Sequence, residues 1–256
     1  MPPSVAIVTG ASSGIGRATA IRLAEDFSAV VLAARDDAGL RDTAEQVAAQ
    51  RAEALSLDID LMAPTAAETV VKATLERFGR IDALLNIAGA VPGVDLFQMT
   101  DEQWSAGMEL KFHGARRLTL RAWDALKASK GSVVLIAGNA AEIPTASAAA
   151  IGVINAAIVA LAKAFADRGL KDGVQVNSVS PGPVMTGRRL GMIEKWAAAH
   201  EVSAKEAQQT LLSESGIARY GAPEEIAHLM AYLVSPAARW LTGAQIRIDG
   251  GEVKSV

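Results

Sequence analysis

Seven short apolar runs recur along the chain, and longer stretches separate them. The runs are VAIVT (5–9), AVVLAA (29–34), AEALSL (52–57), IDALLNI (81–87), SVVLIA (132–137), VQVNSV (174–179) and AQIRI (244–248). Residues 15–26, 37–50 and 64–78 are examples of the stretches between them, and their spacing is helical. Strands that alternate with helices build βαβ units, and such units make a parallel sheet covered by helices on both faces. No linker, low-complexity tract or repeat divides the 256 residues, a length that one large core can serve. The expectation is one α/β domain over 1–256, a single doubly wound parallel sheet of about seven strands. The stretch from 188 to 216 stands outside the rhythm, is charged and carries Trp196. In doubly wound folds, ligands bind in the crevice at the carboxyl ends of the strands, and an insertion so placed covers it.

Composition removes several functions. A net charge of −3, with no run of Lys and Arg, argues against nucleic-acid binding. The chain has no cysteine, which excludes disulfides, thiolate metal sites and a Cys nucleophile. Its three histidines, His113, His200 and His228, lack metal-ligand spacing, so no metal is expected. MPPSVAIVTG has none of the basic start, long apolar region or cleavage site of a signal peptide. The uncharged stretch 146–162 is alanine-rich, contains Gly152 and Asn155, and falls short of a bilayer span. It reads as a buried or subunit-facing helix, and the chain as soluble, cytoplasmic and without a membrane partner.

The first apolar run feeds directly into TGASSGIG (9–16). Glycines in such a turn let the backbone approach a pyrophosphate, which then rests on a helix N-terminus. Taken alone the turn serves as well for a structural corner; its place after a strand and before a helix favours the nucleotide. The spacing T-G-x-x-x-G-x-G resembles the short-chain dehydrogenase/reductase family. The same resemblance runs in order through NIAG (86–89), VNSVSPGPVMT (176–186) and RYGAPEEIAHLMAYLVSPAARWLTGAQIRIDGG (219–251), covering nearly the whole chain.

The resemblance implies a Rossmann-like fold and a nicotinamide cofactor. It places Gly10, Ser12, Gly14, Ile15 and Gly16, with Ser13 among them, around the pyrophosphate and adenosine ribose. Asp58 and Ile59 fall at the adenine, and Asn86, Ala88 and Gly89 along the ribose path. Pro181, Gly182, Val184 and Thr186 fall at the nicotinamide. For Asp58 the plainer alternative is a surface acid at a strand end. An acid closing the second strand would favour NAD, whereas an Arg matches a 2′-phosphate. Here Ala34 fills that slot and Arg35 follows it. NADP(H) is favoured and NAD(H) stays open, because Ser13 stands where NADP-using members carry a second basic residue and Asp36 follows closely. Arg35 as a cap on the sheet edge is the structural alternative.

Members of the family use Ser, Tyr, a Lys four residues after the Tyr, and an Asn from a preceding helix. The Tyr hydroxyl is general acid or base, the Lys lowers its pKa and holds the ribose, the Ser polarises the carbonyl and the Asn fixes a water relay. Counting back from VNSVSPGPV puts Asn155 in the Lys slot, Ile151 in the Tyr slot and Gly138 in the Ser slot. Counting forward from Trp104 puts Lys111 in the Asn slot. The only tyrosines are Tyr220 and Tyr232, so no small shift supplies one near 151. Lys and Asn are exchanged between 111 and 155, not deleted. Lys111 as proton donor and Asn155 as ribose-orienting residue make one reading; a lysine that merely fills the polar hole is the other. Asn139, beside the empty Ser slot, either polarises a carbonyl or caps the next turn, and His113 reads as structural.

Two functions follow. The first is an NAD(P)(H)-dependent oxidoreductase that interconverts a small carbonyl and alcohol through a rearranged proton relay. The second is an inactive nucleotide-binding member of the same family. The alanine-rich helix, together with the resemblance, predicts a homotetramer or a dimer.

Overall fold

The computed structural model describes residues 4–255; residues 1–3 and 256, which the one-domain expectation includes, lie outside the described residues. The apolar runs form the strands β1 (Val5–Thr9), β2 (Ala29–Ala34), β3 (Glu53–Asp58), β4 (Ala83–Asn86), β5 (Ser132–Ile136), β6 (Gln175–Pro181) and β7 (Gln245–Ile248). They stand in one sheet in the order β3-β2-β1-β4-β5-β6-β7, and every pairing is parallel. This is the Rossmann-like order with a seventh strand added at the β6 edge.

Parallel strands are covered on both faces, which explains why these runs are apolar throughout and not alternating. In β1, Val5 and Ile7 enter one core while Ala6 and Val8 enter the other. Helices α1 (Gly14–Leu23), α2 (Asp37–Ala49) and α9 (Pro223–Val234) pack on the second of these faces. Helices α3 (Ala66–Phe78), α5 (Gly114–Ser129) and α6 (Ala149–Asp172) pack on the first. Only the edge strands β3 and β7, with a neighbour on one side alone, keep partly exposed residues along their length.

The chain reverses direction across the sheet between β1 and β4, and one side chain joins the two there. Thr9, fully buried, accepts from the amides of Ile87 (2.9 Å) and Ala88 (3.0 Å) and donates to the Leu85 carbonyl (3.4 Å). Its hydroxyl therefore has all of its capacity filled, and each such bond contributes about 1 kcal/mol.

Two expectations are refined. The apolar helix begins at Ala149, three residues into the stretch 146–162, because a short 3-10 turn (Ala146–Ala148) precedes it. Turn and helix together, Ala146–Asp172, are long and apolar enough to cross a membrane by length and composition, which the 17-residue uncharged run 146–162 alone is not. The helix instead sets Ile158, Ala162, Phe165 and Ala166 into the sheet core, with Val153, Ala156, Ala160 and Ala164 outward. The charged stretch 188–216 outside the rhythm forms a pair of helices, α7 (Gly187–Ala199) and α8 (Ala204–Ser215). Ile193, Ala197, Ala207 and Tyr220 give this pair a small core of its own.

Candidate active site

All the expected cofactor residues stand at the carboxyl ends of their strands. The turn after β1 requires glycine at two points. Gly10 has φ +67°, and a Cβ there would lie 3.1 Å from the Ala88 backbone; a Cβ on Gly16 would overlap the Gly10 carbonyl oxygen at 2.0 Å. Ser13 caps α1 without a side-chain hydrogen bond, so the first-turn amides are left for an anion. Arg17 holds the outside of the turn, donating through Nε (3.1 Å) and Nη2 (2.7 Å) to the Ser12 carbonyl. A pyrophosphate fits this cradle: it meets first-turn amides, a helix N-terminus and a backbone with glycine at 10, 14 and 16.

The other expected residues line the same edge. Asp58 closes β3 and is exposed, and the Ile59 amide donates to Ala34 at 2.8 Å. Arg35 is exposed, with Asp60 3.9 Å away. Asp36 is turned aside, its Oδ1 accepting from the Gly39 amide to cap α2 (3.1 Å). Asn86 is buried and donates to Thr119 Oγ1 (3.1 Å), so its amide serves the fold. Gly182 lies against Asp249, Val184 bridges to Gly221, and Thr186 caps α7 by accepting from the Arg189 amide at 3.3 Å. Thr186 Cγ2 also stands 3.2 Å from where a Gly14 Cβ would be, so the two sides of the cleft face each other closely.

Lys111 and Asn155 meet directly. Helix α4 (Asp101–Gly107) runs into α5 through a wide π-helical turn, Met108–His113, and Lys111 projects from that turn. Such turns re-aim a side chain within an otherwise regular helix. Lys111 Nζ donates to Asn155 Oδ1 (2.5 Å) and to the Ala137 carbonyl at the end of β5 (2.8 Å). Desolvation first, and the charge of Arg188 second, lower the Lys111 pKa to about 7. Gly89 leaves room for the lysine stem, since a Cβ there would lie 3.0 Å from Lys111 Cδ. Ile151, in the expected Tyr slot, packs in an apolar cluster with Val91, Ala150 and Ile154. Tyr220 reaches the Gln208 carbonyl (3.4 Å) and Tyr232 is exposed on α9, so neither approaches Lys111 through a hydrogen bond. His113 makes an edge-on contact with Phe112, centroids 5.2 Å apart.

Three contacts were not readable from the sequence. Arg188, on the first turn of α7, donates to the Gly89 carbonyl (3.2 Å) and the Val91 carbonyl (2.6 Å). Asn139 donates to the carboxylate of Glu252, whose pKa burial raises. Gly138 touches Asn155: a Cβ at 138 would lie 2.6 Å from Asn155 Nδ2. The first two join residues about a hundred positions apart, which no local pattern encodes. The third sets the expected Ser slot directly against the expected Lys slot. Gly138→Ala is therefore expected to lower stability by about 1–3 kcal/mol. Part of that loss should disappear in an Asn155→Ala background, measured by urea unfolding of the four proteins as a double-mutant cycle. Strictly additive losses would show that the two sites do not press on each other.

Comparison with known proteins bears on the whole chain. A family profile described as Enoyl-(Acyl carrier protein) reductase matches residues 10–252. A putative ketoacyl reductase of Streptomyces coelicolor is 33% identical over 96% of this chain and 96% of its own length. The crystal structure of L-sorbose reductase from Gluconobacter frateurii, complexed with NADPH and L-sorbose, superposes with a TM-score of 0.95 at 28% identity, covering 100% of this chain and 98% of that one. An actinorhodin polyketide ketoreductase with NADPH superposes with a TM-score of 0.93 at 31% identity, over 99% of this chain and 98% of that one. With its strand order, its glycine turn and a match over nearly its full length, this chain belongs to the short-chain dehydrogenase/reductase family.

Proposed function

We propose that the chain is an NADP(H)-dependent cytoplasmic oxidoreductase that interconverts a small carbonyl and an alcohol, with Lys111 as the proton donor. The observation that carries this is the ammonium of Lys111, held at the strand ends by Asn155 and Ala137 with its pKa near neutrality. A general acid works best when its pKa lies near the operating pH. The cofactor, when bound, supplies or accepts the hydride. In the reductive direction Lys111 gives its proton to the carbonyl oxygen, becomes a neutral amine and is recharged from solvent. Asn155 fixes the lysine and orients the ribose, and α7 with α8 covers the substrate. NADPH-bound relatives and the exposed Arg35, with Asp36 diverted to its helix cap, support NADP(H) over NAD(H).

The inactive reading has one observation in its favour: two of the three ammonium N–H groups are spent on Asn155 and Ala137, as a lysine filling a polar hole would spend them. The two readings part on a single variant. Lys111→Ala should lower turnover about 10²-fold or more while NADPH binding stays nearly intact, and Lys111→Asn should not rescue it. Because the acid must be protonated to act, reduction should fall as pH rises through about 7 in the parent protein. That inflection should be missing in Lys111→Ala. Parent-like turnover by Lys111→Ala on a confirmed substrate would end the relay idea.

NADPH should bind more tightly than NADH, and Arg35→Ala should weaken NADPH selectively; fluorescence titration with both cofactors checks this, and equal affinities in both proteins would refute it.

We also infer a homotetramer, or failing that a dimer, with the outward side of α6 as an interface. Val153 is exposed there beside Ala156, Ala160 and Ala164, and small side chains permit close helix approach. Light scattering at micromolar concentration should give a dimer or tetramer mass; a monomer would count against it.

A further inference from the structure

Lys111 and Arg188 converge on one residue. The lysine stem lies against the α-carbon side of Gly89, and the Arg188 Nη1 donates to the Gly89 carbonyl. Everything these two cations touch through hydrogen bonds is neutral: the carbonyls of Gly89, Val91 and Ala137, and the Asn155 amide oxygen. Among the described residues, no carboxylate stands within ion-pair distance of Lys111, Arg188 or Arg189, although most other arginines have such a partner. Glu252 is near enough to Arg189 to feel its charge, but it is engaged by Asn139.

Two arginines also open the first turn of α7, where the helix already presents positive partial charge and acidic residues are the stabilising choice. The α7 N-terminus, Arg188, Arg189 and Lys111 thus place uncompensated positive charge beside the reacting centre proposed above. The Arg188 guanidinium end is set down on the Gly89 and Val91 carbonyls, and this desolvation first and Arg189 second lower its pKa. The side chain nevertheless remains exposed, so a ligand can reach it. Its Nε–H and one N–H on each of Nη1 and Nη2 carry no hydrogen bond to protein among the described residues. Those three N–H groups are left for a carboxylate, the anion whose shape matches a guanidinium.

We propose that Arg188 anchors an anionic group of the substrate, so that the molecule reduced at Lys111 is an oxo carboxylate whose carboxylate and carbonyl are separated by only a few bonds. The proposal rests on the oxidoreductase reading for its second half and on the geometry of Arg188 alone for its first. Arg188 holds the carboxylate, Lys111 faces the carbonyl oxygen, and the shared contact with Gly89 fixes the spacing between them. A neutral substrate of the same size would leave those N–H groups unfilled.

The test pairs a graded series of straight-chain 2-oxo and 3-oxo carboxylates with their methyl esters, which keep the carbonyl and remove the charge. NADPH oxidation is followed for the parent protein, Arg188→Gln and Arg188→Lys. At least one acid should be reduced with kcat/KM ten times or more that of its ester. In Arg188→Gln the KM for that acid should rise tenfold or more with a smaller change in kcat, and the preference over the ester should collapse to about threefold or less. Arg188→Lys, which keeps charge without the guanidinium, should fall between.

Isothermal titration of the same acids into the NADPH-saturated Lys111→Ala protein, with and without Arg188→Gln, reads the anchor apart from turnover. Binding that depends on Arg188 without reduction of any carbonyl would keep the anion site and sink the oxidoreductase reading. Reduction of esters as readily as acids would keep the oxidoreductase and sink the anion site. If no acid in the series binds or reacts, or if Arg188→Gln handles acids like the parent, the anchor is wrong.

Discussion

The Thr9 hydroxyl is the joint on which the rest of the molecule hangs. It fastens the end of β1 to the backbone just past β4, at the place where the strand order turns back on itself. With Ala88 fixed there, Gly10 can lie 3.1 Å (measured from its absent Cβ) from the Ala88 backbone, and the glycine turn is held open over the sheet edge. Gly89 follows at once, and against it lie both Lys111 and Arg188. One buried oxygen thus sets the relation between the nucleotide cradle and the reacting groups. A hydroxyl suits the task because it both donates and accepts.

Electrostatics at the strand ends are unusual for their sign. Cleft lysines are commonly balanced by an acid, whereas Lys111 is held by oxygen dipoles and faces a second cation. Burial and repulsion act in the same direction on its proton, against the two oxygens that accept from the ammonium. The price is a charge that the fold alone does not neutralise, which is the kind of imbalance that marks sites for ligands.

The architecture was legible because a parallel sheet writes itself as apolar runs: β1 and β2 fall on residues 5–9 and 29–34 as the runs do, and the others shift by one or two positions at their ends. The start of α6 was less so, because Ala146–Ala148 have helical composition yet form a tighter turn after Pro144. The stretch 188–216 stands outside the strand–helix rhythm since its charges obscure the spacing of Ile193, Ala197 and Ala207, which pack with Tyr220, Trp196 and Leu211 in a small cluster apart from the sheet. At the site, the glycine turn and the exchange of Lys111 with Asn155 could be read by register against the family. Arg188 on Gly89 and Asn139 on Glu252 could not, because they join segments far apart in the chain through contacts that only the fold creates.

The contact between position 138 and Asn155 ties the substitutions open to three residues together. A serine at 138 meets the Asn155 amide; a lysine at 155 meets the Lys111 ammonium; an asparagine at 111 abandons the Ala137 carbonyl. Each of these single substitutions starts uphill, whichever comes first. Gly138, Lys111 and Asn155 thus form one packed unit, in which a change at any one is met by the other two.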